Sequence, residues 1–349
     1  MYRIAIDVMG GDNGPAAMIS GALESLEKVG GTRLALFGPA EQIREELKKQ
    51  NAAENDRLLL VDAPDVISLH ESPTVAIRRK KESSLVRALR SVKEGENDAV
   101  ISAGSSGAIL AGGTLIVGRQ KGVLRPPLGA LIPTKRGLAL LVDCGANVDA
   151  KPEWLLQYGI MGAAYMKDMI GIDLPKVGLV NIGAEEEKGN ALVKEAMPLF
   201  RNLPEIDFIG SCEARDIPDA PCDVIVADAF VGNVVLKMYE GTAKMLLSEI
   251  LGALKSSPAA LLGAALAKGA LRKTLKRFDA KQYGGAPILG LNGLVVKVHG
   301  NTDGREVAYA VRQCADFIEK DIVGETGRRL LKWQEYCEAQ KGDKENGDI

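Results

Sequence analysis

DAVISAGSSGAILAGGTLIVG, residues 98–118, sets out a buried strand, a turn of small residues and a helix in direct succession. Ala99, Val100 and Ile101 follow a polar residue and read as a strand with no solvent face. Ser102, Ala103, Gly104, Ser105, Ser106 and Gly107 then form a tight turn, and Ile109, Leu110, Leu115 and Ile116 are the apolar members of the helix after it. The first amides of a helix lack intrahelical acceptors and carry partial positive charge, so this arrangement can hold an anion. A plain tight turn between strand and helix would look the same, and the rest of the chain has to decide between the two.

Working outward, the same pattern recurs. Residues 2–6 (YRIAI) read as a strand, ended by Asp7 and a loop containing Gly10, Gly11 and Asp12. Strands are expected at 34–37 and 58–61, with helices between them, and a helical region at 72–95 carries Arg78, Arg79, Lys80 and Lys81. A strand pair at 128–132 and 138–142 leads into residues 143–152, DCGANVDAKP, where Asp149 is placed to cap the next helix. Further strands end in GAEEEKGN (183–190), DAFVGN (228–233) and HGNTDG (299–304). Repeated β-then-α units predict a three-layer α/β fold, a mostly parallel sheet with helices on both faces. Loops at strand carboxyl ends are where such sheets bind ligands. The polar strand-end loops therefore predict one shared cleft.

Residues 231–254 and 259–278 differ: they read as two long helices interrupted by Ser256, Ser257 and Pro258. Leu271, Leu275 and Phe278 share one face of the second helix, while Lys268, Arg272, Lys273, Lys276 and Arg277 take the rest. Leu254, Leu261 and Leu262 lie near the junction, so a protruding hairpin with an apolar tip and a basic flank is expected, inserted at about 231–281. A core helix pair or a dimer interface would leave the same pattern. Residues 323–340 predict an amphipathic helix, and 341–349 a disordered polar tail. With no repeat or linker, residues 1–340 read as a single two-lobed unit.

The totals narrow the function. A net charge of −2 argues against a nucleic-acid partner. Five scattered cysteines without a CxxC pair predict reduced thiols and no structural zinc, and two histidines do not make a His-rich metal site. No signal peptide and no uncharged apolar stretch of about 18 residues is read, so a cytoplasmic protein is expected.

At this point six motifs, 7–13, 102–108, 143–152, 185–190, 228–233 and 283–287, resemble in order those of the bacterial phosphate acyltransferases. Ser105 and Ser106 stand where that family usually has Asn-Thr. The resemblance implies transfer of an acyl chain from acyl-acyl carrier protein to inorganic phosphate for phospholipid synthesis. It further implies a fold like the isocitrate and isopropylmalate dehydrogenases and the phosphotransacetylases, a homodimer, peripheral association with the membrane surface, and neither cofactor nor metal. Phosphate, already an anion near neutral pH, needs holding and aiming more than activation. Asp7, Gly10, Gly11, Asp12, Ser102, Gly104, Ser105, Ser106, Gly107, Arg125, Asp143, Asp228 and Gly232 are the expected phosphate and acyl contacts. Arg79 and Lys80 are further candidates for counter-charge. Lys151, Lys188, Asn147, Asn233 and His299 are candidates for charge balance and oxyanion donation. The basic flank (Lys268, Arg272, Lys273, Lys276, Arg277) is expected to dock the acidic carrier protein, and Leu254, Leu261 and Leu262 to touch the membrane. A phosphotransacetylase acting on acyl-CoA, a metal-dependent 2-hydroxyacid dehydrogenase and a non-catalytic carrier-protein or membrane adaptor are the rival readings.

Overall fold

The computed structural model describes residues 1–346 apart from 69, 186, 202, 204, 205, 278 and 279, and side chains outside 276–281 and 336–346. The chain begins β1 (Tyr2–Asp7), α1 (Gly14–Lys28), β2 (Thr32–Gly38), α2 (Ala40–Lys49) and β3 (Leu58–Asp62). The basic helical region divides into α3 (Pro73–Arg79), which ends at Lys80, and α4 (Ser84–Lys93), which Ser83 caps by accepting from the Val86 amide. The opening motif becomes β4 (Ala99–Ser102) and α5 (Ser106–Gly112), which continues as a π-helical turn over Gly113–Val117.

The second lobe contains β5 (Gly129–Thr134), β6 (Gly137–Val142), α6 (Pro152–Tyr165), β7 (Lys176–Asn181), α7 (Ala191–Ala196), β8 (Asp207–Glu213) and β9 (Val224–Val226). The long helices are α8 (Ala229–Leu254) and α9 (Pro258–Arg277), bent by 118° at their junction. The chain then returns to the first lobe with β10 (Ala286–Pro287), β11 (Leu294–Lys297), α10 (Gly304–Glu319) and α11 (Ile322–Asn346). α11 runs to Asn346, over the first part of the span expected as a polar tail.

Each lobe has its own sheet, ordered β10-β11-β4-β1-β2-β3 and β5-β6-β9-β7-β8. All pairings are parallel except those of β10 with β11 and β5 with β6. The fold is thus α/β, with mostly parallel sheets flanked by helices. Apolar packing runs through both lobes, with Ile4, Ile6, Leu140, Val142 and Val224 in one buried cluster. α6 is buried nearly all round and packs against α11, and single bridges Leu128–Ile288 and Arg119–Leu291 stitch the lobes at their edges. No single helix is long and apolar enough to cross a membrane, whereas the α8–α9 pair passes that test of length and composition jointly.

Candidate active site

The first lobe's strand ends meet at the candidate anion cradle. Asp7, at the end of β1, is buried and accepts from the Ser102 hydroxyl at 2.7 Å, and the Ser102 oxygen in turn accepts from the Gly104 amide at 3.0 Å. Burial pushes the Asp7 carboxyl above its ordinary value, opposed by the Ser102 bond. Asp7 therefore ties the ends of β1 and β4 together beneath the turn. Gly10 lets the two loops touch: a Cβ there would lie 2.6 Å from the Gly104 nitrogen. The third loop joins through Asp12, whose amide donates to the Gly300 carbonyl at 2.6 Å. Ser105 caps α5 by accepting from the Ala108 amide at 3.1 Å. Among the described residues, the amides of Ser106 and Gly107 find no protein acceptor, so two donors remain for an anion.

The sequence pattern alone has Gly107→Val blocking the anion while the fold survives. The structure turns that position elsewhere: a Cβ on Gly107 would sit 2.8 Å from Pro73 Cγ, at the start of α3. Gly107→Val is expected to cost about 1–3 kcal/mol by overpacking. Thermal unfolding checks this; an unchanged Tm with a raised phosphate KM would restore the anion-blocking role.

The second lobe's strand ends are organised by Asp143. Its Oδ1 accepts from the amides of Leu128, Gly145 and Ala146, and its Oδ2 from the backbone and side-chain nitrogens of Asn147. Burial pushes its carboxyl upward against these bonds. With both oxygens occupied, Asp143 shapes the loop. The same network corrects the expectation for Asn147: its side-chain nitrogen donates to the Pro126 carbonyl and to Asp143, leaving no hydrogen for an oxyanion. Asp228 caps α8, its Oδ1 accepting from the Phe230 and Val231 amides. Gly232 brings α8 onto the loop, for a Cβ there would meet the Asp143 carbonyl oxygen at 1.9 Å.

A cleft of about 680 Å3 opens between these lobes along α8. Its polar end holds Ser106, Asn233, Lys237, Lys297, His299 and Asn301. Glu240 lies beside this group, 2.9 Å from Lys237 Nζ and 3.4 Å from His299 Nε2. Glu306 is fully buried; its Oε1 accepts from the His299 amide at 3.0 Å, while its Oε2 has no partner among the described residues. The apolar part of the lining includes Leu128, Leu131, Ile132, Leu236, Leu247 and Leu251.

Lys297 was not among the residues expected from sequence. It stands opposite Ser102 in the β11–β4 register, beside the root of the cradle, and its Nζ donates to the Val298 carbonyl at 3.1 Å. An ammonium has three donors, so hydrogens remain for a ligand. Burial pushes Lys297 below the ordinary lysine range and Lys237 adds to this, while Glu306, Cys144 and Glu240 oppose it. The clue was a lysine inside the otherwise apolar strand LVVKV, residues 294–298.

Of the other expected residues, Asn233 and His299 line the cleft. Lys151, Lys188 and Arg125 do not reach it. Lys151 is exposed at the position that starts α6, a cap position expected for Asp149. Lys188 is half-exposed and pairs with Glu185 at 2.9 Å, and Arg125 stacks over Trp154 with 5.2 Å to the ring centre. Lys80 is bonded to Glu71 at 2.7 Å. On the hairpin, Leu254, Leu261, Lys268, Arg272 and Lys273 line one groove, whereas Leu262 is 65% exposed and faces away from it. The side chains of Lys276 and Arg277 lie outside the described residues.

The family whose model matches residues 2–324 is described as fatty acid synthesis protein. The chain is 46% identical over 331 residues to the phosphate acyltransferase of Clostridium botulinum (strain Alaska E43 / Type E3), spanning 95% of this chain and 99% of that one. It is 44% identical over 327 residues to the phosphate acyltransferase of Clostridium acetobutylicum, spanning 94% and 98%. Among solved structures, a phosphotransacetylase from Streptococcus pyogenes shares the fold at a TM-score of 0.59 and 18% identity, over 91% of this chain and 94% of that one. A branched-chain phosphotransacylase from Enterococcus faecalis V583 does so at a TM-score of 0.56 and 14% identity, over 90% and 98%.

Proposed function

Because the chain belongs to the fatty acid synthesis protein family and is an acyl-transferring enzyme of the phosphate acyltransferase kind, we propose that it moves a long acyl chain from acyl-acyl carrier protein to inorganic phosphate, releasing acyl phosphate and free carrier protein for phospholipid synthesis. One observation carries the reading: a single cleft joins the Ser106 end of the small-residue turn and a half-buried lysine to a long apolar wall. That lining supports room for a phosphate, a thioester carbonyl and a fatty chain in one cleft.

The chemistry is direct displacement. The amides of Ser106 and Gly107, with Lys237 at the cleft wall, hold phosphate and offset its charge. A phosphate oxygen attacks the thioester carbonyl, whose oxygen becomes an oxyanion met by the Lys297 ammonium and the Asn233 side chain. Collapse of the adduct breaks the carbon–sulfur bond, and the pantetheine thiolate departs with little acid assistance. An acyl-CoA substrate is the second reading, since the fold is that of phosphotransacetylases. A short acyl group would leave the apolar wall unused. The test is phosphate-dependent turnover of long-chain acyl-acyl carrier protein and acyl-CoA in parallel. Preference for the carrier protein supports the proposal, and equal or better use of acyl-CoA overturns it.

The hairpin serves docking in this reading. Lys268, Arg272 and Lys273 steer the acidic carrier protein, and the outward Leu262, joined by Leu266 at 84% exposure, touches the membrane surface. The membrane set expected from sequence thereby shifts outward from Leu254 and Leu261, which line the groove. Charge reversal at Arg272 and Lys273 is expected to raise the carrier-protein KM severalfold and to leave liposome binding in place. Leu262→Glu is expected to release the enzyme from liposomes with lipid-free turnover retained. Joint loss of both functions in both variants would make the hairpin purely structural. Phe230, Val234, Met238 and Met245 form a further exposed stripe on α8, 56–70% accessible, that a second copy of the chain would cover in a homodimer.

A further inference from the structure

Two carboxylates line the cleft, Glu240 and Glu306, with the ammonium groups of Lys237, Lys244 and Lys297. Lys244 is exposed to solvent. Glu240 is paired with Lys237 at 2.9 Å and reaches His299 Nε2 at 3.4 Å. Of the charges on the lining, that leaves Glu306 and Lys297 for each other. Glu306 is the third residue of α10, and its amide donates to the Asp303 cap at 3.1 Å. Its Oε1 accepts from the amide of His299, two residues beyond Lys297, at 3.0 Å. Its Oε2 is buried and has no hydrogen-bond partner among the described residues. A buried charge is costly unless it is matched, and Lys297, with one hydrogen given to the Val298 carbonyl, keeps two in hand. The remaining titratable groups of the lining are Cys144, Tyr239, Tyr283 and His299.

We propose that Glu306 is a positioning residue for Lys297: its Oε1 fixes the turn after β11, and the charge of its carboxylate keeps the Lys297 ammonium ready for the developing oxyanion. This rests on the reading of Lys297 as the oxyanion donor. The carboxylate itself touches no reacting atom. Its negative charge favours the protonated amine, whereas burial and the charge of Lys237 favour the neutral one. Glu240 and Cys144 act in the same direction as Glu306. Glu240, however, is shared with Lys237 and His299, and burial pushes the Cys144 thiol upward, so it stays neutral. Glu306 is left as the undivided counter-charge. A glutamine would make the same bond to the His299 amide and carry no charge, so the tie to the turn and the charge can be separated.

The test is the pH profile of kcat/KM for the intact enzyme with long-chain acyl-acyl carrier protein and phosphate. Wild type is compared with Glu306→Gln, and Lys297→Arg and Lys297→Met are measured alongside. Without the carboxylate charge the ammonium gives up its proton at lower pH. The alkaline limb of Glu306→Gln is therefore expected to move down by about one pH unit or more, the scale set by an opposite charge a few ångström away. Adding Glu306→Gln to Lys297→Arg, which has no such limb, is expected to create none, because the charge acts through the amine. If Glu306→Gln folds poorly, Glu306→Met, neutral and of similar volume, is read in the same way, by the position of the limb and not its height. A limb that stays at the wild-type pH in a folded neutral variant, with activity lost equally at every pH or not at all, overturns the proposal and leaves Lys297 as the oxyanion donor. A Lys297→Met enzyme within a few fold of wild type overturns the underlying reading instead.

Discussion

Lys297→Met lowers kcat/KM for acyl transfer by about a hundredfold or more, the range found when a fixed oxyanion donor is removed. The reason lies in where the lysine stands. β11 delivers it to the register position of Ser102, at the root of the turn proposed to hold phosphate, where its side chain is half-buried. Its charge is presented to a poorly solvated cleft, where a hydrogen bond to a developing negative oxygen is strongest. Burial depresses the Lys297 pKa, so the active, protonated form is lost as pH rises through a value below the ordinary lysine range. The alkaline limb of kcat/KM is expected there. Lys237→Met removes a neighbouring positive charge and moves that limb to higher pH. Lys297→Arg, which keeps its charge, retains part of the activity and abolishes the limb. A Lys297→Met enzyme within a few fold of wild type would place the oxyanion elsewhere.

Asp143→Ala has the largest expected effect on stability, about 4 kcal/mol or more. Four backbone amides and the Asn147 side chain donate to this fully buried carboxylate. Each buried donor left without a partner costs about 1–3 kcal/mol. The loop it shapes also carries α8 through the contact at Gly232, so the damage reaches the cleft wall. Asp143→Asn keeps the shape but turns an amine toward donor amides, and it falls between wild type and Ala. Chemical denaturation measures the difference, and a loss below about 1 kcal/mol for Asp143→Ala would show the network to be dispensable.

How much of this was legible in the chain follows from the reach of sequence patterns. Residues 98–118 gave strand, turn and helix because burial and small-residue turns leave local signatures. The partition into two sheets was not legible, since pairing such as β11 with β4 joins residues nearly 200 positions apart. β8 escaped notice: it is an edge strand interrupted by Gly210 at φ +85 and pairs with β7 through an irregular register. Asp143 and Asn147 were recognised as belonging to the site, yet only the geometry shows that their polar atoms face each other and the backbone. Lys188 looked available in EEEKGN, and its neighbour Glu185 takes it. Lys297 was passed over because its strand is read from the four apolar residues around it, which conceal the direction of the fifth. His299 and Asn233, candidates that the resemblance offers, both line the cleft, Asn233 from the first turns of α8.

The most direct measurement of the central claim is a single-turnover reaction of purified enzyme with long-chain acyl-acyl carrier protein, with and without radiolabelled inorganic phosphate. Direct displacement predicts labelled acyl phosphate equal in amount to the carrier protein freed, no reaction without phosphate, and no acyl group on the enzyme. Consumption of acyl-acyl carrier protein at the same rate without phosphate, or acylated enzyme that forms before acyl phosphate, would contradict it.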